Sequence, residues 1–247
     1  MASSSVPLRK AEQGDVLEDD AFDEDVHSTS LEATTVHSAI VPPMRISTGI
    51  DGFDQVLNGG FLEKRSYLLR GGPGTGKTLL SVTYLAEAAA DGKTLYITFG
   101  ESAGQIRKDS ARIGLDLEGV EFLDLSPPSE YFAEDKTYDI FAPAEVEREP
   151  TTGKITAVVE RVEPERVVID SMTDLQYLAQ NSGQFRKQAL GLLQFLTEHG
   201  ATVIYTAESR SRKTDEVLQF ISDGIVTLGY EDDHRTLQVS KLRGSDF

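Results

Sequence analysis

The octapeptide Gly71-Gly72-Pro73-Gly74-Thr75-Gly76-Lys77-Thr78 constrains the fold of this chain more than any other stretch. It matches G-x-x-x-x-G-K-[ST] and sits in the context that motif needs. Residues 66–69 before it read as a short apolar strand. Residues 78–90 after it read as a helix, with Leu79, Val82, Leu85, Ala86 and Ala89 on one face and Gly92 as the stop. The glycines let the backbone curl so that successive N–H groups point inward, which suits phosphate oxygens. The partial positive charge of a helix N-terminus adds to the attraction. Lys77 supplies a mobile cation able to reach the β and γ phosphates of a nucleoside triphosphate, and the Thr78 hydroxyl can sit on Mg²⁺. Gly71 to Thr78, with Leu79 behind them, are therefore the candidate nucleotide-binding residues.

A phosphate-bound metal needs a carboxylate. Val167-Val168-Ile169-Asp170-Ser171 places Asp170 at the end of a buried strand, where a nucleotide-bound Mg²⁺ would lie. Taken alone, Asp170 reads more readily as the cap of a following helix.

The remaining pattern alternates strand and helix. Strands are expected at 94–99, 120–125, 166–169 and 202–206. Helices are expected at 103–113 and 184–198, the latter with Leu192, Leu193 and Leu196 turned inward. Residues 225–228 and 236–242 read as a closing β-pair joined by a polar Glu-Asp-Asp-His turn. The expected fold is α/β, with a mainly parallel sheet flanked by helices and a C-terminal β-pair. Residues 126–152, rich in proline and charge, read as a long loop with a short helix.

Residues 1–43 differ from the rest. They carry nine acidic and two basic residues and a single aromatic, Phe22. Such a stretch buries too little apolar surface to offset its ordering entropy, so it reads as a disordered acidic tail, or as a partner-binding arm. The folded domain is expected at 44–247.

Across the 247 residues, 24 basic and 41 acidic side chains give a net charge of −17. That balance disfavours non-specific nucleic-acid binding, and it fits a high-salt cytoplasm and an ordinary acidic protein alike. Arg210-Ser211-Arg212-Lys213 is a local basic cluster, readable as a solvated loop or as a nucleic-acid contact. No cysteine is present, which excludes disulfides, thiolate metal sites and cysteine nucleophiles. The four histidines lack metal-ligand spacing. With no apolar run long enough for a membrane span and no signal-peptide core, a cytoplasmic location is expected.

The segment Arg45-Ile46-Ser47-Thr48-Gly49-Ile50-Asp51-Gly52-Phe53-Asp54, the following Leu57-Asn58-Gly59-Gly60-Phe61, the phosphate loop and the ending Lys241-Leu242-Arg243-Gly244 together resemble the KaiC-like branch of RecA-type ATPases. The likeness covers roughly residues 44–247, with one such domain where the clock protein of that family has two. It implies a RecA-type core, ATP and Mg²⁺ as ligands, and assembly into homo-oligomeric rings, often hexamers, with ATP between subunits. By the same resemblance Lys241 and Arg243 reach a neighbour's γ-phosphate, Thr206 senses the γ-phosphate, and a pair of glutamates follows the second strand. Here that pair reads Phe99-Gly100-Glu101-Ser102, so only Glu101 remains as the catalytic base. Each residue keeps a plainer reading. Lys241 and Arg243 can be solvated charges, Thr206 a strand-end threonine, and Glu101 a residue beside a helix cap. The missing first glutamate, with the acidic tail, adds the expectation of a signalling partner of unknown identity.

Overall fold

The computed structural model describes residues 44–127, 148–177, 179–208 and 212–245. The acidic stretch 1–43, most of the expected loop 126–152, and Arg210 and Ser211 of the basic cluster lie outside the described residues.

Seven strands form one sheet in the order β5-β4-β6-β7-β3-β8-β9. These are β3 (Ser66–Gly71), β4 (Thr94–Thr98), β5 (Glu121–Asp124), β6 (Arg166–Asp170), β7 (Thr202–Glu208), β8 (Gly224–Glu231) and β9 (His234–Leu242). All neighbours are parallel except β8 and β9, which form the expected antiparallel pair. β1 (Arg45–Ile46) and β2 (Phe61–Leu62) make a separate two-stranded ribbon.

The central strands are continuous apolar runs because both faces of the sheet are covered. Side chains alternate across it. Leu68, Leu95, Ile97, Val167, Ile169, Val203 and Tyr205 share one core with α4 (Arg148–Val162), α5 (Met172–Tyr177), α6 (Ser182–Glu198) and α7 (Arg212–Ile221). Tyr67, Leu69, Tyr96, Val168 and Ile204 share the other with α1 (Asp51–Val56), α2 (Lys77–Ala86) and α3 (Ala103–Arg112).

Two expectations are corrected. Helix α2 ends at Ala86, and Ala89–Asp91 continues as a 3-10 turn. Its buried face carries Leu80, Val82, Tyr84 and Leu85, while Leu79 is 41% exposed. Leu79 and Leu80 are adjacent apolar residues, so periodicity alone cannot say which one turns inward. The region after residue 147 is a fifteen-residue helix, α4, rather than the end of a loop. Ile155, Val158 and Val159 fasten it to the sheet.

Candidate functional site

β3 delivers the glycine loop. Its register sets Gly71 beside Glu208 of β7 and Leu228 of β8. A Cβ on Gly71 would fall 2.5 Å from the Leu228 carbonyl oxygen, so the strand fits there only as glycine. Gly74 and Gly76 have φ of 74° and 105°, the left-handed region that glycine enters without a Cβ penalty. A Cβ built on Gly72 or Gly76 meets nothing within 4 Å, so the loop has open space beside it. Between them, the Thr75 hydroxyl donates to the Gly72 carbonyl at 2.9 Å and braces the turn around Pro73.

Helix α2 starts at Lys77 with no side chain capping its N–H groups and no acid in its first turn. By contrast, the Ser102 side chain caps α3 and the Asn181 side chain caps α6. Uncapped N–H groups at the start of a ten-residue helix suit an anion. The Lys77 ammonium donates to the carbonyls of Gly71 at 3.0 Å and Gly72 at 2.9 Å, folded back on the loop that a phosphate would occupy.

Asp170, at the end of β6, gathers three hydroxyls. Tyr96 donates to its Oδ2 at 2.7 Å and Thr206 to its Oδ1 at 2.5 Å. Thr78 stands 3.4 Å from Oδ2, beyond the usual 2.5–3.0 Å of a hydroxyl bond. Thr78 and Asp170 therefore face each other across a gap that leaves room for a small cation. Among the described residues no cluster of three or more His, Asp or Glu could hold a metal unaided. Mg²⁺ takes one or two protein oxygens and completes its shell with phosphate and water.

Glu101 follows β4. The Thr98 hydroxyl fixes its backbone carbonyl at 2.6 Å, and its own carboxyl group is largely open to solvent. The partial desolvation that remains raises its proton affinity above the ordinary carboxylate value, and the charges of Asp109 and Asp170 push the same way. Beside it, a Cβ on Gly100 would lie 3.5 Å from Asp174 Oδ2. Asp174 sits in the first turn of α5, and the Ser171 hydroxyl donates to it at 2.6 Å. A carboxylate from another element thus borders the position where the expected glutamate is missing.

Lys241 and Arg243 are not near this loop. Lys241 pairs with Ile225 in the β8–β9 register, and Ile225 with Leu68 of β3. The loop begins three residues further along β3, roughly 10 Å at strand rise. The Lys241 ammonium donates to the Gln219 carbonyl at 2.9 Å. Arg243 approaches Asp223 at 3.9 Å, and its N–H donates to the Asp223 carbonyl at 2.9 Å. Burial, and then the charge of Arg243, pull the Lys241 proton affinity down. The structure thus brings together Gly71 to Thr78, Asp170, Thr206 and Glu101, and leaves the two terminal cations at the other end of the sheet. Of the basic cluster, Arg212 and Lys213 open helix α7 rather than lying in a loop.

The family profile described as "ATPase: KaiC" matches residues 46–247. The chain belongs to the KaiC ATPase family. It is 32% identical over 237 residues to the circadian clock oscillator protein KaiC of Synechococcus elongatus, covering 88% of this chain and 43% of that protein. With KaiC of Prochlorococcus marinus it shares 32% identity over 221 residues, 81% of this chain and 41% of the relative. It therefore spans about two fifths of the KaiC proteins it matches. A UPF0273 protein of Methanopyrus kandleri is 31% identical over 216 residues, 81% of this chain and 84% of that protein.

The KaiC-like opening segment proves structural. Asp54 accepts from the Ser47 hydroxyl at 2.7 Å, the Thr48 N–H at 2.8 Å and the Thr48 hydroxyl at 2.7 Å. This locks the turn that carries the chain from β1 into α1. A Cβ on Gly60 would lie 2.1 Å from the Ile46 carbonyl, so close approach of the β1–β2 ribbon requires glycine. Three residues around the sites were missed by sequence reading: Tyr96, Asp174 and Tyr230. Each looks ordinary in its own segment: Tyr96 and Tyr230 gain their partners, and Asp174 its place beside Gly100, through strand order.

Proposed function

We propose that this KaiC-family chain is a Mg²⁺-dependent ATPase that cleaves ATP slowly at subunit interfaces of a homo-oligomeric ring. The cycle would drive a signalling or regulatory conformational switch in the cytoplasm. The observation that carries the reading is the split of the candidate machinery between two ends of one sheet. The loop, Thr78 and Asp170 stand at one end, and Lys241 and Arg243 at the other. Cations needed at a γ-phosphate but held away from their own loop serve a neighbour's loop. β9, on which Lys241 sits, is an edge strand, and such edges invite a partner.

In this reading the loop N–H groups and Lys77 hold the triphosphate. Thr78 and Asp170 would hold Mg²⁺, which would supply neutralisation of the phosphate charge. Glu101 accepts the proton of the attacking water as its oxygen bonds to the γ-phosphorus and the bond to ADP breaks. Thr206, by its bond to Asp170, keeps that carboxylate oriented and would sense the γ-phosphate. The neighbour's Lys241 and Arg243 stabilise the charge that grows on the transferred oxygens.

Gly100 favours a second reading, a nucleotide-gated scaffold that binds ATP, assembles and turns over little. Phosphate release with Mg²⁺-ATP across protein concentrations separates the two. Specific activity that rises steeply with concentration and is lost in Lys77→Ala supports the ATPase. Tight ATP binding with phosphate release at background supports the scaffold.

A further inference from the structure

We propose that Tyr230 is the stacking platform for the nucleoside base of the nucleotide whose phosphates the loop holds, with Leu79 as its apolar companion. This rests on the reading of the loop given above and extends it to the other end of the ligand. The phosphate loop itself carries only groups that recognise phosphate.

Sheet order sets the direction. β7, with Thr206, is next to β3 on one side, and β6, with Asp170, lies just beyond it; β8 is the neighbour of β3 on the other side. A nucleotide whose terminal phosphate and metal lie toward Asp170 trails its nucleoside toward β8 and β9. Tyr230 stands there. It follows Leu228, the partner of Gly71, by two residues. Its hydroxyl donates to the Gly74 carbonyl at 2.7 Å, which holds the ring against the rim of the loop. Arg235, its cross-strand partner, donates to the same hydroxyl at 3.3 Å and places its guanidinium 6.0 Å from the ring centroid. Tyr230 is nonetheless 55% exposed. Leu79, directly after Thr78, is 41% exposed in the first turn of α2. An exposed ring bonded to the loop's rim and an exposed leucine directly after the loop in sequence offer the apolar surface that the flat body of a base needs.

Stacking reads the face of a base and not its edge. Tyr230 therefore favours nucleotides over bare phosphate chains and treats adenine and guanine alike.

The test is calorimetric binding of the imido analogue of ATP and of inorganic tripolyphosphate, both with Mg²⁺, to wild type, Tyr230→Ala and Tyr230→Phe. Thermal melting of each variant verifies the fold. Tyr230→Ala should weaken the nucleotide analogue about tenfold or more and change tripolyphosphate by no more than about twofold. Tyr230→Phe, which keeps the ring, should stay within about threefold of wild type for both probes. Equal weakening of both probes in Tyr230→Ala, or no weakening of either, overturns the proposal. A wild-type chain that binds neither probe overturns the reading of the loop on which it rests.

Discussion

Tyr96 donates its hydroxyl to Asp170 at 2.7 Å from the neighbouring strand, although the two residues are 74 apart in sequence. The pairing of β4 with β6 makes this possible, and burial makes it consequential. Desolvation first, and then the charge and hydrogen bond of Asp170, raise the Tyr96 proton affinity well above the ordinary value. The hydroxyl is thus a fixed donor to the carboxylate proposed to face Mg²⁺.

Tyr96→Phe removes that donor and nothing else. Partners that orient a metal-binding carboxylate typically contribute 10–100-fold in metal affinity. The Mg²⁺ concentration for half-maximal ATP binding should therefore rise by about tenfold or more, measured by titrating Mg²⁺ at fixed nucleotide. An unchanged midpoint would show that Tyr96 does not act on the metal position.

Glu101 should show itself in the acid limb of the rate profile. Its proton affinity is raised by burial, Asp109 and Asp170, so the base loses its charge at a higher pH than an ordinary glutamate would. Turnover should decline on acidification from a correspondingly higher pH. Glu101→Gln should abolish turnover while ATP binding persists. A carboxyl group whose folded affinity for protons is raised favours the folded state below its unfolded value and loses that contribution as pH rises through its folded value. Glu101→Gln should accordingly be as stable as wild type or slightly more so at neutral pH, measured by urea unfolding.

Restoring the missing glutamate should not restore a faster enzyme by itself. In Gly100→Glu the new side chain starts 3.5 Å from Asp174 Oδ2, so two carboxylates crowd one position. Like charges brought close together raise one another's proton affinity. Turnover should stay at or below wild type in the single variant and exceed it in Gly100→Glu/Asp174→Asn. Additive effects of the two changes would count against any communication between these positions.

The KaiC-like opening segment should matter for folding rather than chemistry. Gly60→Ala forces a Cβ to 2.1 Å from the Ile46 carbonyl at a φ of 106°. The expected loss is about 2–4 kcal/mol of stability from overpacking and backbone conformation together. Denaturant unfolding measures it.

Much of this fold is legible in the sequence. Strands such as β4, β6 and β7 are apolar on both faces, so they stand out as short continuous runs between charged ends. The phosphate loop is legible because glycine spacing, strand and helix all lie within one local stretch. α4 is harder to read. Ile155, Val158, Val159 and Val162 have helical spacing, but Thr151, Thr152 and Gly153 are weak helix formers at its start. The neighbours that complete the site are hardest. Tyr96 and Tyr230 acquire their partners, and Asp174 its place beside Gly100, through a sheet order that no local pattern encodes. The Tyr230–Gly74 bond spans 156 residues. Placing Lys241 at the end of the sheet opposite the loop needed the registers of both β3–β8 and β8–β9.

The most direct measurement is a mixing assay. Lys77→Ala removes the loop's cation, and Arg243→Ala removes the cation proposed to act on a neighbour. Each variant alone should release phosphate at background. Mixed in equal amounts and allowed to exchange subunits, they should form interfaces in which an intact loop meets an intact Arg243, restoring about a quarter of wild-type activity for random assembly. Activity that stays at background in the mixture, or an Arg243→Ala variant as active alone as wild type, would contradict a site built between subunits.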